Sequence, residues 1–209
     1  MNRTADTDFP IHDLVAARWS PVGFDARPVP VAELCSLFEA ARWSASSFNE
    51  QPWSFLLATR DDTDAFERVL SCLVEANQDW AKNVPVLALT CTCHRFQHND
   101  KLNTAALHDL GLAVAGLTFE ATARNLFVHS MKGILPDRAR ELFEVPDNVE
   151  VVAAIALGYL ADLATLPEQL RKRDQSPRTR KRLSGFVFGS RWGLASGLVE
   201  ERSSGFSGS

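Results

Sequence analysis

The densest run of hydrogen-bonding side chains is Ser46-Ser47-Phe48-Asn49-Glu50-Gln51-Pro52-Trp53. A serine hydroxyl donates and accepts, and an Asn or Gln amide presents a donor and an acceptor side by side. Such a set suits the edge of a flat heteroaromatic ring on which donors and acceptors alternate. The same composition also describes a polar loop between a helix and a strand, and the segment alone leaves both readings open.

A second concentration is electrostatic. Arg171, Lys172, Arg173, Arg178, Arg180, Lys181 and Arg182 share a twelve-residue window with one acid, Asp174, for a net +6 on a chain of formal charge −4. A phosphate or an acidic surface of the same assembly would suit this window. The acidic remainder disfavours nucleic acid, because it would repel the backbone beyond the patch. A solvated charge run is the plain alternative.

Familiar catalytic sets are absent from the sequence. There is no Gly-x-Ser-x-Gly elbow, no phosphate loop ending in Gly-Lys-Ser/Thr, and no Gly-x-Gly-x-x-Gly after a strand. Cys91-Thr92-Cys93-His94 with His98 lacks the common zinc spacing, so these read as strand-end residues and no metal is expected. His108 and His129 stand alone, the latter just before Ser130-Met131-Lys132-Gly133, which reads as a loop able to face a ligand.

The elements that must position these groups alternate between helix and strand. A short helix around Ile11, Leu14 and Val15 ends near Arg18, and Ser20-Pro21-Val22-Gly23 breaks it. Leu34, Leu37, Phe38 and Ala41 mark one face of a helix over 31–43. The pattern then predicts a strand at 55–58, a helix over 61–77, a buried strand over 85–93, and a long helix over 102–125. The long helix is rich in Ala, Gly and Leu on several faces, as in a large core or against a second subunit. A strand at 126–129, a helix at 136–143 and an apolar strand at 149–159 follow. Beyond Asp162 come polar and basic residues, then Phe186-Val187-Phe188 and Trp192-Gly193, aromatics too few to form a core alone.

At 209 residues, with 45% hydrophobic and 23% charged residues, the chain can bury a core without covalent staples. No apolar run is long enough to span a bilayer and no signal-peptide pattern opens the chain. Four scattered cysteines fit free thiols, so a cytoplasmic location is expected.

Four separated segments, in order, resemble the flavin-dependent nitroreductase family. They are Arg18-Trp19-Ser20; Ala45-Ser46-Ser47-Phe48-Asn49-Glu50-Gln51-Pro52-Trp53; Asp109-Leu110-Gly111 with Met131-Lys132-Gly133; and Pro177-Arg178-Thr179-Arg180 with Trp192-Gly193. The resemblance implies an α+β fold: a three-layer α/β/α sandwich with a central mixed sheet, a long buried dimer helix and an extended C-terminal arm. It implies one FMN-binding domain over 10–193, with 163–193 as an arm carrying the phosphate-binding basic segment. Residues 1–9 are then a flexible start, and 194–209 a largely disordered tail.

The resemblance also implies a homodimer with FMN at the subunit interface. Arg18, Arg178 and Arg180 would hold the phosphate, since the guanidinium fork can bond two oxygens at once. Trp19 and Ser20 would lie at the polar edge of the flavin. Ala45, Ser46, Ser47, Asn49 and Gln51, from the other subunit, would line the ring and the ribityl chain. Met131, Lys132 and Gly133 would sit near flavin N5, with Gly133 permitting close backbone approach. Asn77 and Trp80 resemble a segment leading into the central strand. Val22 stands where relatives carry Lys or Arg, which implies a lower flavin potential that an Arg there would raise. Ala45 replaces the usual Pro, and Asn125 a common Gly. The implied reaction passes hydride from NADH or NADPH through the flavin to a nitroaromatic, quinone, enone or aldehyde, by a ping-pong route without a protein acid or base. Specialised flavin chemistry on the same fold and a non-catalytic FMN-binding dimer are the alternatives.

Overall fold

The computed structural model describes residues 3–199, which divide into a unit ending at Ser176 and a second unit beginning at Pro177. In the first unit a four-stranded sheet lies between two helical layers. The strands are β1 (Trp53–Thr59), β2 (Val86–Cys93), β3 (Phe127–Met131) and β4 (Val149–Gly158). The helices are α1 (Asp13–Ala17), α2 (Val31–Arg42), α3 (Thr63–Leu70), α4 (Glu75–Ala81), α5 (Ala106–Ala123), α6 (Pro136–Phe143) and α7 (Glu168–Gln175).

Period-two alternation splits the strands between the layers. On β2, Leu87, Leu89 and Cys91 join a core with Phe66 and Val69 of α3, Trp80 of α4 and Ala139 of α6. Val86 and Ala88 point the other way, to Leu34 and Leu37 of α2 and Ala113 and Leu117 of α5. On β4, Ala154 and Ala156 face the first core, and Ile155 and Leu157 the second. Both faces are covered, so these strands read as unbroken apolar runs.

The sheet order is β1-β2-β4-β3, and every pairing among the described residues is antiparallel, where a mixed sheet was expected. The reason is the place of β4. The connection through α5 makes β3 run in the same direction as β2, but β4 inserts between them, antiparallel to both. α3 and α4 return the chain to the end of the sheet it left, because Thr59 at the close of β1 pairs with Val86 at the start of β2.

The helix expected over 61–77 is two helices. Asp62 caps α3 by accepting from the Ala65 N–H at 3.0 Å. The chain then leaves helical geometry because residues 72–74 bond to a distant segment. Leu135 N–H donates to the Cys72 carbonyl (2.7 Å), and Val74 N–H to that of Gly133 (3.1 Å).

α5 buries Ala106, Leu110, Ala113, Leu117 and Ala121 on one face and leaves Leu107 and Leu112 exposed on another. It ends on Asn125 at φ 56°, with Leu126 N–H donating to the Ala121 carbonyl and Asn125 N–H to that of Thr122. A left-handed residue closes this kind of cap, and Asn is the usual choice after Gly, which explains Asn125. No helix among the described residues is long and apolar enough to cross a membrane.

Among its described residues the second unit has a 3-10 turn at Leu183–Gly185 and a short antiparallel bridge between Phe188 and Ala195. Phe188 meets Trp192 edge-on at 5.1 Å, and Trp192 is exposed. Positions 200–209 of the expected tail, and residues 1 and 2, lie outside the described residues.

Candidate functional site

The turn after α1 carries Arg18, Trp19 and Ser20 and is tied down from three sides. Asp174 of α7, itself buried, accepts from Val22 N–H (2.8 Å) on one carboxylate oxygen and from Gly23 N–H (2.9 Å) on the other. His129 of β3 donates from Nδ1 to the Pro21 carbonyl at 2.6 Å. Burial pushes the pKa of His129 down; the Pro21 bond works against this and the nearby Arg173 with it. Trp19 is buried edge-on against Phe127 at 5.9 Å, with the Arg3 guanidinium 4.6 Å over its ring.

This clamping leaves Ser20 exposed and Arg18 half-buried, with the Arg18 guanidinium 3.4 Å from the Ser20 hydroxyl. Both line an open cleft of about 240 Å³ with Val128 and Ser130 of β3 and with Gly111, Val114, Ala115, Thr118 and Phe119 of α5. A Cβ built on Gly111 would meet nothing within 4 Å. The cleft combines a cation, two hydroxyl-bearing serines and a wall of small residues, which fits an anion attached to a flat polar body.

Val22 does not line that cleft. Its side chain is 3% exposed and belongs to the core beneath α3 and α4. An Arg at this position would have to bury its guanidinium or displace the turn, so the first consequence of the substitution is lost stability rather than a raised potential.

The Ser46–Gln51 loop is built differently. Phe48, Asn49 and Gln51 have φ of 54°, 55° and 52°, three left-handed non-glycine residues in four positions. Such geometry costs free energy at each residue and persists only where other contacts impose it. Here the Ser47 N–H donates to Asp109 Oδ2 at 2.9 Å, and the Gln51 N–H to the Ser46 hydroxyl at 3.0 Å. The Gln51 amide donates to the Asn49 carbonyl at 3.2 Å, and Glu50 accepts from the Gln97 N–H at 2.8 Å. Asp109 is buried and also meets His108 Nδ1 at 3.0 Å. Ala45, Phe48, Asn49 and Gln51 are exposed, and Phe48 stands edge-on to Phe96 at 5.6 Å.

Met131 and Ser130 lie in β3, where a loop was expected, and Met131 is buried in the core. Lys132 donates from Nζ to the Val152 carbonyl at 2.7 Å. Gly133 is explained by α4. A Cβ there would come within 2.6 Å of Asn77 Nδ2 and 2.8 Å of Val74 Cγ2, while the Gly133 carbonyl accepts from the same Asn77 amide at 2.9 Å. Its missing side chain makes room for α4, and Asn77 secures this loop. Arg178 and Arg180 lie in the second unit, where the Arg180 guanidinium bonds the Thr179 carbonyl at 2.7 Å.

The structure thus brings Arg18, Ser20 and Ser130 together and keeps the Ser46–Gln51 loop apart from them within one chain. The Arg18 turn sits at the β3 edge, where Phe24 bridges to Leu160 beyond the end of β4. The Ser46–Gln51 loop leads into β1 at the opposite edge and the opposite end of the sheet. Three strand spacings, roughly 14 Å, separate the edges alone.

Asp174 and His129 are the positioning residues that the sequence did not reveal. The one signal for Asp174 was a lone acid in a basic window. Among the described residues no group of three or more His, Cys, Asp or Glu could hold a metal. His94 instead bonds Glu150 at 2.7 Å, and burial pushes the Cys91 thiol up to about 11.

Residues 15–86 match the model of the nitroreductase family. Over 133 residues the chain is 35% identical to an uncharacterized 15.4 kDa protein from the ask 5′ region of Mycolicibacterium smegmatis, an alignment covering 64% of this chain and 88% of that protein. The structure of an oxidoreductase containing FMN superposes with a TM-score of 0.84 at 33% identity, over 92% of this chain and 97% of the other. A nitroreductase family protein from Clostridium difficile shares the fold, with a TM-score of 0.66 at 21% identity over 85% and 96% of the two chains.

Proposed function

The chain belongs to the nitroreductase family, and from that membership we propose that it is an FMN-dependent oxidoreductase whose flavin site is completed by a second copy of the chain. One observation carries the reading. The Arg18–Ser20 cleft and the Ser46–Gln51 loop lie at opposite edges and opposite ends of one sheet, and none of residues 46–51 lines the cleft within one chain. Two chains meeting along the exposed face of α5, which carries Leu107 and Leu112, would give each cleft a loop from its neighbour.

In this reading Arg18 and Ser20 hold the phosphate and the polar edge of FMN, and the partner's loop supplies hydroxyls and amides to the ring. The bound flavin supplies the two-electron chemistry, with NADH or NADPH as donor and a nitroaromatic, quinone, enone or aldehyde as acceptor in a ping-pong sequence. The chain's own residues bind, orient and exclude water. Four free cysteines support a reducing, cytoplasmic setting.

A mixed dimer tests the shared site. Arg18→Glu and Asn49→Glu each abolish FMN uptake as homodimers. A dimer purified with one chain of each retains one intact site and binds one FMN, read by visible absorption and by mass spectrometry of the released cofactor. If both half-sites came from one chain, the mixed dimer would be colourless. Oxidation of NADH or NADPH with a quinone acceptor then separates the enzyme from a non-catalytic flavin-binding dimer.

A further inference from the structure

α5 touches both half-sites. Gly111, Val114, Ala115, Thr118 and Phe119 line the Arg18 cleft, and Asp109, less than one turn away, holds the Ser46–Gln51 loop. We infer that Asp109 is a positioning residue that sets the pose of this loop and thereby the affinity for the flavin; the second part rests on the function proposed above.

Three observations support the assignment. The Asp109 side chain is 3% exposed, so its carboxylate is desolvated and held by hydrogen bonds. One oxygen takes the Ser47 N–H at 2.9 Å and the other meets His108 Nδ1 at 3.0 Å. The segment it grips continues directly into Phe48, Asn49 and Gln51, whose left-handed backbones need an external restraint. The bonds from Gln51 to Ser46 and to Asn49 are local and would travel with the loop if it moved, and the Glu50 carboxylate, which accepts from the Gln97 N–H at 2.8 Å, ties the loop to a second loop rather than to a helix. The Ser47–Asp109 bond instead spans 62 residues and ties the loop to α5, the helix that also walls the cleft. His108 is mostly exposed and meets the far oxygen, so it supports the carboxylate without touching the loop backbone.

The test uses three variants of the full chain and two readouts. Asp109→Leu removes both acceptors at similar volume. Asp109→Asn keeps an amide oxygen for Ser47 and an amide N–H for the unprotonated His108 nitrogen. His108→Ala leaves the Ser47 bond in place. In the flavin-free protein, amide hydrogen exchange at residues 47–51 should accelerate in Asp109→Leu, with no change at residues 22–23. Asp109→Asn should restore protection. FMN affinity, read by quenching of flavin fluorescence, should fall about tenfold or more in Asp109→Leu. It should recover in Asp109→Asn and stay within about twofold in His108→Ala.

Unchanged exchange at 47–51 in Asp109→Leu would overturn the assignment of the loop. Faster exchange with unchanged FMN affinity would overturn its link to the cofactor. Equal losses in His108→Ala and Asp109→Leu would move the role to His108. If wild-type protein takes up no FMN, the flavin reading itself falls, and the exchange comparison still decides whether Asp109 holds the loop. Should Asp109→Leu fail to fold, Asp109→Ala, which removes both acceptors without adding bulk, takes its place with the same expected and overturning results.

Discussion

The turn at residues 18–24 and the loop at residues 46–51 both present side chains to the proposed site, and they are held by opposite means. The turn is anchored from the core. Asp174 and His129 grip its backbone, Trp19, Val22 and Phe24 are buried beneath it, and only Arg18 and Ser20 emerge. The loop stands largely in solvent, with three left-handed residues and two long-range bonds, from Ser47 to the buried Asp109 carboxylate and from Gln97 to Glu50. The first arrangement ties the Arg18 end of the proposed site to the sheet. The second leaves the loop side of the proposed site dependent on these two bonds. A site divided in this way has a fixed anchor and an adjustable wall, which suits a cofactor that stays bound while donors and acceptors alternate over it.

The sharpest break in this contrast is Asp174→Leu, which leaves the Val22 and Gly23 N–H groups buried without acceptors. It should cost about 3–5 kcal/mol in urea unfolding. A loss below about 1 kcal/mol would mean that the turn supports itself and that the two regions do not differ. Asp174→Asn, which keeps one acceptor oxygen of two, should fall between wild type and Leu.

Gly133→Ala probes the loop fixed by α4. Its Cβ would press on Asn77 Nδ2 and Val74 Cγ2, for a cost of about 1–3 kcal/mol. Asn77→Ala in the same chain should recover part of that loss. No interaction between the two substitutions would refute the contact.

The pH response sharpens the comparison further. Burial holds the His129 pKa below its ordinary value of 6.5, so His129 stays neutral in the folded protein while the unfolded chain takes up a proton. Stability attributable to His129 is therefore unaffected above about pH 6.5, falls as pH drops through that value, and levels off once the folded imidazole also protonates. Thermal unfolding of wild type and His129→Gln from about pH 7.5 to 5 should show the steeper decline in wild type. Parallel curves would remove His129 from the buried clamp.

The smallest effect is expected in the loop. Phe48→Gly relieves a left-handed backbone and removes only an exposed ring, so stability should hold or rise by up to about 1 kcal/mol. A clear loss would show that the Phe48–Phe96 contact, not Asp109, shapes the loop.

Sequence alone determined the elements and much of the candidate site, because the information is local. The apolar runs at 85–93 and 149–159 announced strands, the first of them covered on both faces, and the apolar periodicity of Leu34, Leu37, Phe38 and Ala41 announced α2. The Ser46–Gln51 loop was legible because polar residues cluster where the chain is neither helix nor strand, whereas Arg18 and Ser20 were legible only through the family resemblance. Tertiary structure alone decided the rest, because those features rest on bonds between distant residues. β4 enters between β2 and β3, which makes the sheet antiparallel, and no local pattern encodes a neighbour supplied later in the chain. The helix over 61–77 breaks because residues 72–74 bond to 133–135, trading helical hydrogen bonds for long-range ones of similar strength. Gly133 is also needed for packing, which only the fold reveals, by bringing Asn77 beneath it. Asp174 looked like a stray acid and is the anchor of the Arg18 turn: a carboxylate gains this role only when burial removes water and two backbone N–H groups converge on it.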